Sequence, residues 1–240
     1  MSLWLALETS ADLAGIAVRG PDGVVQEARI AGARRHASAT IPAAIELLAP
    51  FGGVAALTGV LIADGPGSFT GLRVAAAVAK ALHASRAVPV WAGSALAARA
   101  VRHAPREGGQ VLVAVNALRN EAYAAVFRVE ATGLEVMFEA RTVPVGALAA
   151  MARGCAVVVL DLPSPDGLGV PEEGHPVRIV APDAAPSAAG LLTLLDVAGG
   201  ATEITDVAAW SPVYGRPVEA QIRWEETHGR PLPHPLRTGG

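Results

Sequence analysis

The side chains that could do chemistry in this chain are few. Lys80 is the only lysine among 240 residues, and it lies within a run of alanines rather than after G-x-x-x-x-G, so a phosphate-binding P-loop is excluded. No G-x-G-x-x-G follows an apolar run. Cys155 stands alone, so neither an intrachain disulfide nor a multi-cysteine zinc site can form, and its place before an apolar run reads as a small core residue. The histidines at 36, 83, 103, 175, 228 and 234 have neither H-x-x-x-H nor H-x-E spacing, so no metal site is expected. Gly67-Ser68-Phe69-Thr70-Gly71 is not G-x-S-x-G and predicts no nucleophile elbow. Glu8 and Asp64 remain as the convenient acidic ligands for a magnesium-nucleotide, with Thr9 beside the first.

The most informative stretch joins an apolar run to a helical pattern: Gly65-Pro66-Gly67-Ser68-Phe69-Thr70-Gly71-Leu72-Arg73. Gly65 and Gly67 bracket Pro66 and allow backbone conformations closed to other residues. Ser68 or Thr70 can accept a hydrogen bond from the free amides of the first helical turn. Two readings stand side by side: an anion-receptive loop formed by Gly65, Pro66, Gly67, Ser68, Thr70 and Gly71, or a tight turn with a capped helix. The helix that follows is almost wholly apolar and small-sided. Only Arg73, Lys80 and His83 interrupt it, within about 80° of one another at ~100° per residue. A helix of this kind must be covered nearly all round. The reading is a partner interface built on Leu72, Ala76 and Ala77, flanked by Arg73, Lys80 and His83; the competing reading is complete cover by the helix at 39–48.

Composition bounds the rest. Hydrophobic residues make up 52% and charged residues 17%, which excludes a disordered chain. The net charge is −3, so a broad basic face for nucleic acid is not expected, and Arg34-Arg35 is the densest basic pair. The mean hydropathy is +0.40, yet no apolar run approaches the ~20 residues of a membrane span, and no signal peptide opens the chain. The expectation is a cytoplasmic protein.

The elements that must position these residues repeat. Runs at 3–7, 16–18 and 24–30 predict three antiparallel strands, with Gly20-Pro21-Asp22-Gly23 as a turn. A helix at 39–48 carries Ile41 and Ile45, with Ser38 or Thr40 as its cap. A buried strand at 60–63, the long helix at 69–85, a strand at 88–91 and a helix at 93–101 follow. After the turn cluster at 104–109, strands at 111–115, 121–129 and 134–141 precede a helix at 145–152, strands at 156–160 and 178–180, and a helix at 187–198. Two halves of strand–strand–strand–helix–strand predict a duplicated α/β unit, with lobes at 1–103 and 104–240 and a frayed tail from about 230.

Four segments together resemble the TsaB (YeaZ) family: Glu8-Thr9-Ser10; Gly65 to Arg73 with Lys80; Asn116 to Tyr123; and Pro212 to Ala220. The resemblance implies an actin-like (ASKHA) ATPase fold of two lobes. It implies a non-catalytic subunit in N6-threonylcarbamoyladenosine synthesis on tRNAs that read ANN codons, docking the transferase TsaD through its first lobe and, with it, the small ATPase TsaE. The family's pairing surface is the helix after GPGSFTG, with the helix of Ile41 and Ile45 beside it; homodimerisation through the same helix stays open. No cofactor of its own is implied, a nucleotide at the complex interface stays open, and tRNA is reached through the complex.

The chain departs from the family pattern where Asn116 and Leu118 replace Asp and Arg. In actin-like ATPases the first turn supplies an acidic residue and a glycine beside the phosphates, and Glu8-Thr9-Ser10-Ala11-Asp12 lacks the glycine. The alternative is an actin-like ATPase or kinase-like enzyme using Glu8 and Asp64. A peptidase, the historical label of the superfamily, lacks any spaced histidine pair or serine elbow to support it.

Overall fold

Short β-branched and aliphatic runs, apolar on both faces, form strands that must be covered from two sides. A computed structural model describes residues 2–32, 35–164, 176–215 and 227–229. In the first half Trp4–Glu8 (β1), Leu13–Arg19 (β2) and Val25–Ala31 (β3) form an antiparallel meander. Gly59–Ala63 (β4) and Val90–Gly93 (β5) add in parallel to β1. In the second half Gly109–Leu118 (β6), Glu121–Glu130 (β7) and Gly133–Pro144 (β8) repeat the meander. Val157–Asp161 (β9) and Val177–Val180 (β10) again add in parallel. With Ala201–Glu203 as β11, the sheet orders, β11-β5-β4-β1-β2-β3 and β10-β9-β6-β7-β8, thus share one pattern apart from an extra edge strand on the first. The predicted duplicated α/β unit is the observed architecture.

Side chains alternate into separate layers. Leu5, Leu7, Val60 and Ile62 face the helices His36–Leu48 (α1) and Phe69–Arg86 (α2) on the outer side of the first sheet. Ala6, Leu61 and Ala63 face inward onto Ala95–His103 (α3) and Ala188–Leu192 (α5), which separate the two sheets. Leu112, Ala114 and Leu160 face Leu148–Met151 (α4) on the far side of the second sheet. The small residues of α3, with Ala95, Leu96, Ala97, Ala98 and Ala100 all buried, let the sheets approach it from both sides.

Several expectations change. The first helix begins at His36, earlier than expected, and its N-cap residue Arg35 makes no side-chain cap bond. Thr40 is instead a buried mid-helix residue whose hydroxyl donates to the His36 carbonyl, and Pro42 lies inside the helix. The helix expected at 187–198 is five residues of α-helix followed by a 3-10 turn at Thr193–Asp196. Ala201–Glu203 (β11), which no sequence pattern marked, pairs antiparallel with β5.

The chain after residue 104 also does not stay with the second sheet. Glu27 of β3 accepts hydrogen bonds from the Ser187 hydroxyl at 3.0 Å and the Ala188 amide at 2.6 Å, fixing the start of α5 on the first sheet. With β11 there too, the second-lobe residues 188–203 return to the first half. Arg34 and residues 165–175, 216–220 and 230–240 lie outside the described residues.

Glycine is required where backbones touch. A Cβ at Gly71 would collide with the Thr9 carbonyl oxygen, while one at Gly146 would meet nothing within 4 Å. Gly71→Ala is therefore expected to cost at least ~2 kcal/mol by overpacking, and Gly146→Ala to be near neutral, read from urea-unfolding midpoints.

Candidate functional site at a helical face and an interlobe cleft

Helix α2 starts where Ser68 turns the chain: the Ser68 hydroxyl accepts the Gly71 amide at 3.2 Å, the cap expected from sequence. Leu72, Ala75 and Ala79 pack inward with no more than 1% exposure, and Ala76 is buried beside them. Arg73, Ala77, Ala81 and Ala84 form the outward row. Helix α1 packs beside α2 and buries His36, Thr40, Ala44 and Leu48, an i, i+4 stripe. Its opposite side leaves Ile41 52% and Ile45 54% exposed. Cover by α1 is thus partial.

The expected interface divides in two. Ile41, Ile45, Arg73 and Ala77 are presented outward. Leu72 and Ala76 are not, because the chain's own core uses them. Lys80 spends its ammonium on the Ala208 carbonyl at 2.8 Å, and His83 Nδ1 pairs with the Val88 carbonyl at 3.0 Å. Both tie α2 to its own fold.

The glycine-rich loop is locked onto the β1–β2 turn. The Ser68 amide donates to the Ser10 carbonyl at 2.7 Å, and the Thr9 hydroxyl donates to the Gly71 carbonyl at 2.7 Å. A Cβ at Gly67 would strike the Ser10 carbonyl oxygen, and one at Gly65, whose φ is +115°, would strike that of Val213. The amides of Ser68 and Gly71 are therefore engaged within the chain, as in a capped turn.

The acidic candidates are neighbours that line different cavities: Glu8 ends β1 and Asp64 follows β4, its parallel partner. Glu8 and Thr9 are fully buried, with Glu8 Oε1 accepting the Ser10 amide at 2.8 Å and Oε2 lacking a hydrogen-bond partner among the described residues. Asp64 opens into a separate cavity of about 600 Å³ with Phe127, Leu134 and Trp210. Burial raises the Asp64 carboxyl to about 6; its own backbone amide opposes this, and the charge of Glu8 adds to it. No cluster of three His, Cys, Asp or Glu side chains able to hold a metal occurs among the described residues. Burial pushes the Cys155 thiol up, as befits a core residue.

Between the lobes lies a cavity of about 710 Å³, walled by Ser10, Asp12, Pro66 to Phe69, Arg99, Asn116 to Leu118, Tyr123, Asp161 and Tyr214. Arg99, 3% exposed, donates to the carbonyls of Ala95 and Ala184 and meets Asp161 at 3.4 Å, so one side chain of α3 holds the ends of the second sheet. Sequence reasoning missed it, although an arginine among the alanines of the first two turns of α3 was the available signal. At the mouth, Tyr214 lies 4.5 Å from the Phe69 ring, Arg73 sits over Phe69 at 5.2 Å, and the Tyr123 hydroxyl donates to the Tyr214 carbonyl at 3.3 Å. The β6–β7 turn opposite holds Leu118, Arg119 and Asn120 at positive φ, with Asn116 Oδ1 accepting the Leu118 amide. Of the segment 212–220, the part through Gly215 is described, and it packs the chain back across both lobes.

Asp64 gives a pH signature. Its folded carboxyl titrates above the unfolded value, so the folded state binds more protons between about pH 4 and 6 and loses stability as pH rises through that window. Asp64→Asn is expected to raise the unfolding free energy from urea titration by up to ~3 kcal/mol at pH 7.5 and to leave it nearly unchanged at pH 3.5.

Comparison with known proteins follows this geometry. A family model described as TsaD, tRNA N6-adenosine threonylcarbamoyltransferase, matches residues 21–159, more than half of the chain. No curated protein matches. Among solved structures, an uncharacterized protein from Pseudomonas aeruginosa with similarity to the peptidase YeaZ superposes with a TM-score of 0.68 at 24% identity, covering 90% of this chain and 100% of the other. YeaZ from Pseudomonas aeruginosa superposes with a TM-score of 0.61 at 24% identity, covering 81% of this chain and 91% of its own. Among the described residues no helix is long and apolar enough to cross a membrane. The chain therefore belongs to the TsaD family of the tRNA-modification system, and its two-lobed, actin-like architecture is the fold of YeaZ.

Proposed function

We propose that this chain is a non-catalytic, TsaB-type subunit that docks a TsaD-type transferase through the outward face of α1 and α2, and with it recruits a TsaE-type ATPase, for N6-threonylcarbamoyladenosine formation on tRNA. The observation that carries the reading is the exposed row of Ile41, Ile45 and Ala77, flanked by Arg73, on helices whose other sides are buried. Small side chains on α2 let a second helix approach closely, and two exposed isoleucines one turn apart supply the apolar contact.

The cleft supports the absence of turnover. Glu8 and Thr9 do not line it, Asp64 opens into the other cavity, and the Ser68 and Gly71 amides are engaged with Ser10 and Ser68. An ATPase or kinase-like reading would have to use Glu8, which is fully buried, beside Asp64, and the cytoplasm is where tRNA modification of this kind takes place. A nucleotide at the complex interface and a homodimer through the same face are separate outcomes of the test below.

Ala77→Glu and Ile45→Glu place a charge in this contact. Each is expected to weaken association with the cognate TsaD-type partner by on the order of 3 kcal/mol, roughly 100-fold in Kd, in size exclusion with light scattering. Unchanged co-elution for both variants overturns the docking face. A monomer mass for the isolated wild-type chain assigns the face to the heterologous partner; a dimer mass lost in both variants assigns it to a second copy.

A further inference from the structure

We infer that the cavity at Asp64 binds an organic cation, an ammonium or guanidinium group on an apolar stem, with its charge beside the Asp64 carboxylate and its stem against Phe127 and Trp210. This cavity of about 600 Å³ falls in the range of small-molecule sites. Both sheets build it. Asp64 follows β4, Gly93 ends β5 and Glu203 ends β11, while Phe127 comes from β7 and Leu134 and Val136 from β8. None of its walls comes from α1 or α2, so the inference stands apart from the docking reading. Backbone hydrogen bonds fix its frame. The Leu134 amide donates to the Ala198 carbonyl at 3.0 Å, the Ile204 amide to that of Val90 at 2.8 Å and the Trp210 amide to that of Asp206 at 3.0 Å.

Charge sets the sign of the ligand. Asp64, Glu203 and Asp206 line the cavity, and among the described residues no lysine, arginine or histidine does. Lys80 reaches the Ala208 carbonyl near the rim but is not part of the wall. Asp206 spends Oδ1 on the Ala209 amide at 3.0 Å. Asp64 has its own backbone amide and the charge of Glu8 for company, and burial strips water from it. Among the described residues it has no counter-ion. A carboxylate held this way gains most from an incoming cation. The apolar walls decide which kind. No cluster of three metal-binding side chains occurs among the described residues. An ammonium or guanidinium near an aromatic ring is attracted to its face, and an aliphatic stem can lie along Leu134 and the half-exposed Val136. A free amine or guanidine and an arginine side chain of a partner protein share this chemistry.

Isothermal titration calorimetry on the full chain at pH 7.5 tests it. The probes are n-butylguanidine, N-acetylarginine amide and, as the neutral isostere of the second, N-acetylcitrulline amide. Saturable binding of at least one cation is expected, with the citrulline compound at least tenfold weaker. Asp64→Asn, the more stable protein at this pH, should lose at least tenfold. Trp210→Phe should bind within threefold of wild type, and Trp210→Leu, which keeps an apolar wall without a π face, about fivefold more weakly. Glu8, Glu203 and Asp206 are the other ionisable groups around Asp64. With the Asp64 carboxyl at about 6, about a tenth of it is ionised at pH 5.0, so affinity should fall about tenfold from pH 7.5 to 5.0. Tighter butylguanidine assigns the site to a free cation; equal or tighter acetylarginine amide assigns it to an arginine of a partner. No saturable binding of either cation, citrulline binding as tight as arginine, unchanged affinity in Asp64→Asn, or affinity independent of pH would each overturn the proposal.

Discussion

The contact between the β1–β2 turn and the glycine loop before α2 is the constraint on which the molecule depends. Thr9 and Ser10 press their backbone against Gly71 and Gly67, and two hydrogen bonds near 2.7 Å hold them there. No side chain fits between these backbones, so the loop needs glycine for approach rather than for ligand binding. Once fixed, the start of α2 has one position and one rotation. Leu72, Ala75 and Ala79 then turn onto the first sheet, and Arg73 and Ala77 must face out. One packing event thus sets which side of α2 is presented outward.

The lobes are held together by a second set of contacts. Arg99 spans α3, β9 and the segment before α5, and its low exposure makes truncation costly because the Asp161 charge and the Ala184 carbonyl would lose their donor. Glu27 anchors α5 to β3, and the segment at 201–215 runs from β5 past Lys80 to Tyr214. Each link comes from a residue distant in sequence, so the second half of the chain braces the first.

How much of this is legible in the sequence follows from the range of the interactions. Strands and the long helix are encoded locally: Val60 to Ala63 is a continuous apolar run because both its faces are covered, and Ser68 caps α2 from three residues away. The duplication is visible because both halves repeat the same periodicities. By contrast, β11 is three residues long and exists only because β5 offers an edge. The inward turn of Leu72 and Ala76 depends on the rotation of α2, which composition cannot set when nearly every position is small and apolar. The engagement of Lys80 requires Ala208, 128 residues later. Glu8 and Asp64 are neighbours at the ends of adjacent strands, but Glu8 is fully buried whereas Asp64 lines the cavity of Phe127 and Trp210, a difference that local sequence does not encode.

The most direct measurement of the central claim is amide hydrogen exchange on the chain with and without its cognate TsaD-type partner. Docking through the outward helical face predicts added protection concentrated at residues 37–46 of α1 and 70–84 of α2, with β8 and β10 unchanged. Protection confined to the second lobe, or none on either helix in a formed complex, would contradict it.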